Sequence, residues 1–410
     1  MSSWDLRKSA QVTLAVIAAL AAITAGFRYF TRGGSFFGPH IEATPTEGPV
    51  GIKPFFEFRG FDGGREIKVF LCRSGTGDVA DCADLGTGRA GERLSSKPVP
   101  KTFPDNSEVE AGRYALRAGP NENGAYDQYG SFEIVPFKVG PRPDVVSYAG
   151  LQASDLRLGP LEQVATGAPC RTPLFLPDDR FSVGSNVIDP TNGVTIAFEA
   201  EGHELAWSPV GDKLAVLTSD RKEIRLAAPD GSGAVTTVRE ARGLLSSLSW
   251  SPEGDKLAYI AQRDPSTSQL AGDPGPPTVM ILNSINGNKT SAGPGLGVAW
   301  SPSSDLLAVE MSGSRIEASD LAGKRRHLTT GVRPGWSPDG RFVTVVRGTP
   351  AGGREGWVVP VEGDGGVPLA GAEVCALHFS SSGRSLAVVK LEEGKMTTYL
   401  RSVETPNSAA

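Results

Sequence analysis

Histidine, cysteine and carboxylate side chains supply metal ligands, nucleophiles and proton donors. This chain of 410 residues has four histidines and four cysteines, and their spacing restricts what they can do. His40, His203, His327 and His378 stand far apart, no His-Glu-x-x-His occurs, and no other cysteine or histidine sits at ligand spacing near Cys72 or Cys82. A nucleophile elbow would read Gly-x-Ser-x-Gly, and the chain has none. Gly323-Lys324 lacks the following Ser or Thr of a phosphate loop. His378 alternates with apolar neighbours and reads as a core or channel residue. His327 ends the basic run Lys324-Arg325-Arg326 and reads as solvated. No catalytic residue, no metal and no cofactor is expected.

The side chains that remain are placed by elements that repeat. Trp336-Ser337-Pro338-Asp339-Gly340-Arg341-Phe342 is echoed by Trp207-Ser208-Pro209, Trp250-Ser251-Pro252 and Trp300-Ser301-Pro302. Phe379-Ser380-Ser381-Ser382-Gly383-Arg384 and Phe175-Leu176-Pro177-Asp178-Asp179-Arg180-Phe181 are looser copies, so six anchors follow one another in steps of 32, 43, 50, 36 and 43 residues. Each anchor ends a short alternating run such as Leu205-Ala206-Trp207 and precedes an apolar run such as Leu214-Ala215-Val216-Leu217. Pro presets the second turn position, and Gly or Asp tolerates the dihedrals at its end, so each copy predicts a β-hairpin. A second turn follows in each unit, at Asn192-Gly193, Asp230-Gly231, Asn286-Gly287, Ala322-Gly323 and Asp364-Gly365. Two hairpins make four strands, one blade of a β-propeller, with Phe175, Trp207, Trp250, Trp300, Trp336 and Phe379 as plugs between sheets.

Trp336-Ser-Pro-Asp-Gly-Arg341, together with Ser319-Asp-Leu-Ala-Gly-Lys-Arg-Arg-His-Leu-Thr329 ahead of it, resembles the repeat of the TolB-like, WD-like six-bladed β-propeller family. The resemblance covers roughly residues 160 to 405 and implies a six-bladed ring. It implies function only broadly, since such propellers serve as periplasmic scaffolds, as sensor domains and as gating domains ahead of peptidases.

The last copy runs short of strands. Val164-Ala165-Thr166-Gly167 precedes Phe175 much as Leu328-Thr329-Thr330-Gly331 precedes Trp336, so residues 161–166 are expected to complete the sixth sheet beside the C-terminal strand. Cys170, five before its anchor, and Cys375, four before its own, then fall in equivalent loops on either side of the seam. They form either a disulfide locking the ring or two small buried side chains.

Gly and Pro, 51 and 31 residues, favour turn-rich β structure, and a net charge of −5 argues against nucleic acid as a partner. Ser9 to Phe27 is uncharged and apolar nearly throughout. Its length at about 1.5 Å per residue approaches the ~30 Å of a bilayer's hydrocarbon. Arg7 and Lys8 precede it and Arg28 and Arg32 follow. Residues 1–32 are therefore read as a short tail and transmembrane anchor, with a cleaved signal peptide as the alternative. Either would export the remainder of the chain. Export fits Cys72 and Cys82, ten apart in a turn-rich stretch, as a disulfide. Residues 33–49 and 141–159, rich in Gly and Pro, read as linkers. Residues 50–140, with short alternating strands such as Ile67-Lys-Val-Phe-Leu71, read as a small Ig-like β-sandwich.

The surface left for function is a loop face around the channel. Arg171, His203, Arg242, Arg333 and Glu373 lie a few residues before their anchors on that face. The insert from Arg263, Asp264 and Asp273 to Pro277 joins them. The sequence thus predicts an all-β, single-pass membrane protein, extracytoplasmic in bulk and monomeric. It would bind an envelope or secreted protein or peptide without catalysis. The alternatives are a channel that takes a glycan or small ligand, with or without lyase chemistry, and an extracytoplasmic sensor.

Overall fold

The computed structural model describes residues 39–61, 64–73, 79–119, 127–135, 137–166, 174–183, 186–190, 195–197, 202–240, 243–263, 276–302, 305–362 and 365–405. The apolar segment Ser9–Phe27 lies outside them. Among the described residues no helix is long and apolar enough to cross a membrane. The chain divides into two compact units, Met1–Pro136 and Phe137–Ala410.

The described part of the first unit is two β-sheets. One runs His40–Thr44, Phe55–Arg59, Arg93–Ser95. The other runs Glu47–Gly48, Asp127–Ile134, Gly112–Gly119, Glu66–Cys72, Ala83–Arg89. Alternation decides which side chains go inside: Ile41, Ala43, Phe56 and Phe58 from one sheet and Val69, Leu71, Leu85, Leu116 and Phe132 from the other are buried. The sheets approach closely where glycine leaves room. A Cβ on Gly130 would stand 2.6 Å from the Ile41 carbonyl, and one on Gly88 3.0 Å from the Phe58 ring. Residues 39–48, read from their Pro and Gly content as spacer, therefore contribute strands, because Ile41 and Ala43 alternate correctly to cover this core. Cys72 and Cys82 form the expected disulfide, Cα atoms 4.7 Å apart.

In the second unit the aromatic-led repeats fold as successive antiparallel meanders. The first sheet is Leu174–Phe175, Phe181–Val183, Asn186–Ile188, Thr195–Ala197. The second is Glu204–Trp207, Leu214–Leu217, Glu223–Ala227, Val235–Arg239. The third is Gly243–Trp250, Lys256–Arg263, Thr278–Asn283, Lys289–Pro294. Then come Gly297–Trp300, Leu307–Met311, Arg315–Ser319, Arg325–Thr330, and Val332–Trp336, Phe342–Gly348, Arg354–Pro360, Val367–Ala370. The last meander, Val374–Phe379, Ser385–Glu392, Lys395–Glu404, has only three strands of its own. Glu162–Thr166 supplies the fourth, Glu162 opposite Leu400 and Thr166 opposite Thr397.

Apolar side chains join neighbouring sheets at five junctions among the described residues. Leu217 and Ile224 meet Trp250 and Tyr259, Ile260 and Val279 meet Trp300 and Val309, and Ala308 and Ile316 meet Trp336 and Val345. Phe342 and Val358 meet Phe379 and Leu386, and Ala387 and Leu400 of the last sheet meet Phe181 and Ile188 of the first. At about 1.5–3 kcal/mol per large apolar side chain, this inter-sheet burial holds the unit together. The architecture is a β-propeller.

The anchors behave as plugs. The four tryptophans are 4–6% exposed, Phe379 is 2% exposed and Phe175 is half-buried. Trp250 Nε1 donates to the Ala206 carbonyl at 2.8 Å and Trp336 Nε1 to that of Ala299 at 3.0 Å, each acceptor standing one residue before the previous anchor. Trp207 Nε1 bonds Pro229 O instead, and Trp300 Nε1 has no partner among the described residues.

Residues 141–159 also differ from a linker. The chain from Phe137 to Leu158 is strapped over the hairpin turns of the propeller. Gly140 N donates to Asp178 Oδ2 at 2.6 Å, Val146 N to Ser382 O at 2.8 Å and Tyr148 N to Asp339 Oδ2 at 2.8 Å. The Tyr148 hydroxyl donates to Gly383 O, and its ring, fully buried, packs on Phe342 and Phe379. Burial and the Asp339 carboxylate push the Tyr148 phenol far above its ordinary value, so it stays a donor. Composition hid this, because the apolar residues that dock the strap are few.

Substitutions in both units test this packing. Tyr148→Phe loses one buried hydrogen bond, about 1 kcal/mol, whereas Tyr148→Ala opens a cavity costing about 3–5 kcal/mol. Urea unfolding monitored by tryptophan fluorescence would separate the two, and equal costs would contradict the strap's packing. Replacing both Cys72 and Cys82 by Ala should cost about 2–3 kcal/mol. Hydrogen exchange should then rise in Glu66–Cys72 and Ala83–Arg89 more than in the propeller strands.

Candidate functional site

The inner strands of the propeller surround a cavity of about 990 Å³. Its wall includes Ser182, His203, Glu204, Ser247, Gly297, Glu310, Arg333, Arg347, Arg354 and Thr398, drawn from every sheet. A narrower space of about 170 Å³ lies at the turn end, ringed by Phe175, Trp207, Trp250, Trp300, Trp336, Phe379 and the prolines of the turns. Arg142 of the strap stands at its edge. Leu248, Ser249, Ala299 and His378 line both spaces and so form the throat between them.

The wide end is shaped by two bulges. Ser247 and Arg333, each three residues before its anchor, have φ of 57° and 56°. Strand register slips there, between Ser246 and Ser249 and between Val332 and Gly335. A left-handed non-glycine residue costs roughly 1–3 kcal/mol, and in both cases an acid from the preceding sheet compensates. Glu204 Oε2 accepts from Ser247 N at 3.0 Å and its Oε1 from Leu248 N at 2.7 Å. Glu310 Oε2 accepts from Arg333 N at 2.8 Å. The two carboxylates among the described wall residues are thereby engaged by backbone amides.

The cations of the wall lie together on the sheet that begins at Val332. Burial and the nearby Arg354 hold the Arg333 guanidinium below its ordinary value, with Glu310 acting in the opposite sense. Burial does the same to Arg347. At the throat, His378 Nδ1 lies 2.7 Å from Phe379 O. A carbonyl only accepts, so Nδ1 carries the proton and Nε2 is the basic atom. Burial lowers the His378 pKa below 6.5, keeping the ring neutral.

Of the residues expected on this face, His203 and Arg333 line the cavity. Glu373 stands at the start of the last inner meander with φ of 63°, outside the lining. Arg263 pairs with Gly243 at the wide end, also outside the lining. Arg171, Arg242, Asp264 and Asp273 lie outside the described residues, as does Cys170. Cys375 is buried and disulfide-bonded. Sequence reasoning missed Glu204, Glu310, Arg347 and Arg354. One signal was available: Glu204, Ser247, Gly297 and Arg333 all stand three residues ahead of an anchor, and all line the cavity. Among the described residues no cluster of three or more potential metal ligands occurs.

No family model and no curated protein matches the chain. Solved structures with similarity to it include TolB from Acinetobacter baumannii, 16% identical with a TM-score of 0.38 over 68% of this chain and 74% of that one. A putative TolB from Agrobacterium tumefaciens is 15% identical, TM-score 0.40, over 60% and 98%. An oligogalacturonate lyase from Vibrio parahaemolyticus is 10% identical, TM-score 0.41, over 57% and 77%. Likeness at this level assigns no activity.

His378 makes stability depend on pH. Its folded pKa lies below the ordinary 6.5, so the unfolded chain binds the extra proton first as pH falls. The contribution is complete above about 6.5 and declines as pH drops toward the folded value. His378→Asn should flatten that decline in urea midpoints measured from pH 7.5 to 5, and an unchanged slope would show that other groups cause it.

Proposed function

We propose that this chain is a non-catalytic binding module of the cell envelope. It is read as a six-bladed propeller of the TolB-like, WD-like kind with an Ig-like sandwich before it. The apolar segment Ser9–Phe27 would tether it, with the bulk extracytoplasmic, and a segment of an envelope or secreted protein would enter its wide end. The disulfide between Cys72 and Cys82 supports an oxidising compartment. The observation that carries the binding reading is the roughly 990 Å³ cavity whose carboxylates, Glu204 and Glu310, are engaged by backbone amides. Such a wall offers recognition groups on a rigid frame. A second disulfide, Cys170 to Cys375, would lock the seam where the first and last sheets meet.

The cavity's volume also falls within the range of small-molecule sites, so a small acidic glycan is the second reading.

The test places a photo-crosslinking amino acid at Leu296, 45% exposed in the cavity wall, and separately at Ile285, 79% exposed on the turn beside Asp255. In the native envelope, Leu296 should give a discrete protein adduct that Ile285 does not. Equal adducts from both positions would end the proposal. A thermal shift with an acidic oligosaccharide, without any adduct, would favour the second reading.

A further inference from the structure

The throat of the channel carries one acceptor with no hydrogen-bond partner among the described residues. The narrower space beside it, about 170 Å³, is ringed by Phe175, Trp207, Trp250, Trp300, Trp336 and Phe379. Nearly every polar side-chain group around that space is engaged. Trp207, Trp250 and Trp336 Nε1 donate to backbone carbonyls, Ser249 Oγ accepts from Trp300 N at 2.8 Å, and Ser381 Oγ donates to Leu176 O at 2.8 Å. Ser380 Oγ lies 3.2 Å from Ser382 Oγ and accepts from Ser385 N at 3.2 Å. Trp300 Nε1 is without a partner, but protein encloses it and shields it from the space. Arg142 stands exposed at the edge. What remains inside is His378, half-buried, whose ring lines both spaces.

Several contacts hold that ring in place. Its Nδ1 donates to Phe379 O at 2.7 Å, which leaves the lone pair on Nε2. Leu377 O, one residue earlier, accepts from Thr344 Oγ1 at 3.1 Å and so fixes the strand. The Phe175 ring lies 6.2 Å away and 32° from parallel. Gly335 makes room, because a Cβ there would stand 3.4 Å from His378 Cδ2. An acceptor preset among apolar groups forms a stronger hydrogen bond than it would in water.

The space itself selects what donates to it. An apolar protein cavity of about 150 Å³ takes benzene, so this one admits a single six-membered ring. Tryptophan, phenylalanine and proline rings around it favour a flat, apolar body. An ammonium donor would meet the charge of Arg142 and lose its hydration. A phenol joins a flat ring to a neutral donor. We propose that the throat binds a phenolic ring whose hydroxyl donates to His378 Nε2. The ring is that of a free phenol or of a tyrosine side chain. It enters through the wide cavity, since Leu248, Ser249, Ala299 and His378 line both spaces. This site stands apart from the protein-binding reading above.

The test is a ligand-observed NMR titration of the full chain in detergent at pH 7.5. The ligands are p-cresol, toluene, benzoate and the blocked tripeptides Gly-Tyr-Gly and Gly-Phe-Gly. p-Cresol should bind about tenfold tighter than toluene, the size of one neutral hydrogen bond. His378→Phe should abolish that preference, and His378→Gln, which keeps an acceptor, should retain part of it. In the unaltered chain labelled with nitrogen-15 histidine, p-cresol should shift the His378 Nε2 resonance and toluene should not. Gly-Tyr-Gly preferred over Gly-Phe-Gly assigns the ring to a polypeptide, and p-cresol binding alone assigns a free phenol. Either supports the site. Equal affinity for p-cresol and toluene, an unmoved Nε2 resonance, or a preference surviving His378→Phe overturns it. Benzoate binding tighter than p-cresol also overturns it, by making Arg142 the recognition group. The adduct at Leu296, which lines the wide space and not the narrow one, judges the protein-binding reading separately.

Discussion

A serine hydroxyl buried inside a tight turn is the interaction on which the propeller depends. Ser208, Ser251, Ser301, Ser337 and Ser380 come directly after their anchors and are at most 1% exposed. Ser251 Oγ accepts from Lys256 N at 3.0 Å and donates to Asp255 Oδ1 at 2.8 Å. Ser337 Oγ accepts from Phe342 N at 2.9 Å and donates to Asp339 Oδ1 at 2.8 Å. The turn itself is closed by backbone, Gly254 N to Ser251 O at 3.0 Å and Gly340 N to Ser337 O at 2.9 Å, with both glycines left-handed. An alanine in place of such a serine would strand a buried amide, at about 1–3 kcal/mol. The aromatic before the serine is fixed by that turn, and only a fixed aromatic can donate to the carbonyl of the neighbouring sheet.

The first sheet solves the same problem with other residues. Leu176 stands where serine would be, and Asp179 takes the left-handed position at φ 67°. Asp179 then reaches across the seam to the amide and hydroxyl of Ser382, while Ser381 Oγ donates to Leu176 O at 2.8 Å. The turn that departs most from the pattern is thus one that ties the ends of the propeller together, beside the strand exchange of Glu162–Thr166 with Lys395–Glu404.

That division explains which features were legible in the sequence. Trp-Ser-Pro-x-Gly is a local instruction whose turn chemistry acts within about six residues, so the hairpins and the plugs were visible, while the borrowed strand showed through the likeness of Val164-Ala165-Thr166-Gly167 to Leu328-Thr329-Thr330-Gly331. The strap was not, because Tyr148 finds its partners Asp339 and Gly383 at separations of 191 and 235 residues. Strand His40–Thr44 was hidden by flanking prolines and glycines. Glu204 and Glu310 look like ordinary strand-edge acids, and their partners Ser247 and Arg333 belong to other sheets. Arg347 and Arg354 have the spacing of solvated charges, and only the packing of the sheets around them gives their hairpin a cavity to line.

The two ends of the channel therefore answer to different constraints. At the turn end the repeats share an aromatic and a small buried hydroxyl or its substitute, with a left-handed residue at Asp179, Gly211, Gly254, Gly340 and Gly383, so the side chains there have little freedom. At the wide end the fold asks only that backbone amides be satisfied, and any carboxylate of suitable reach does that. Four equivalent positions three residues ahead of an anchor accordingly hold Glu204, Ser247, Gly297 and Arg333, an acid, a hydroxyl, no side chain and a base. Stability is carried where the repeats agree, and chemical identity is free to vary where they disagree. What sets this propeller's repeats apart from one another is therefore displayed at the wide end, as four different groups around one cavity.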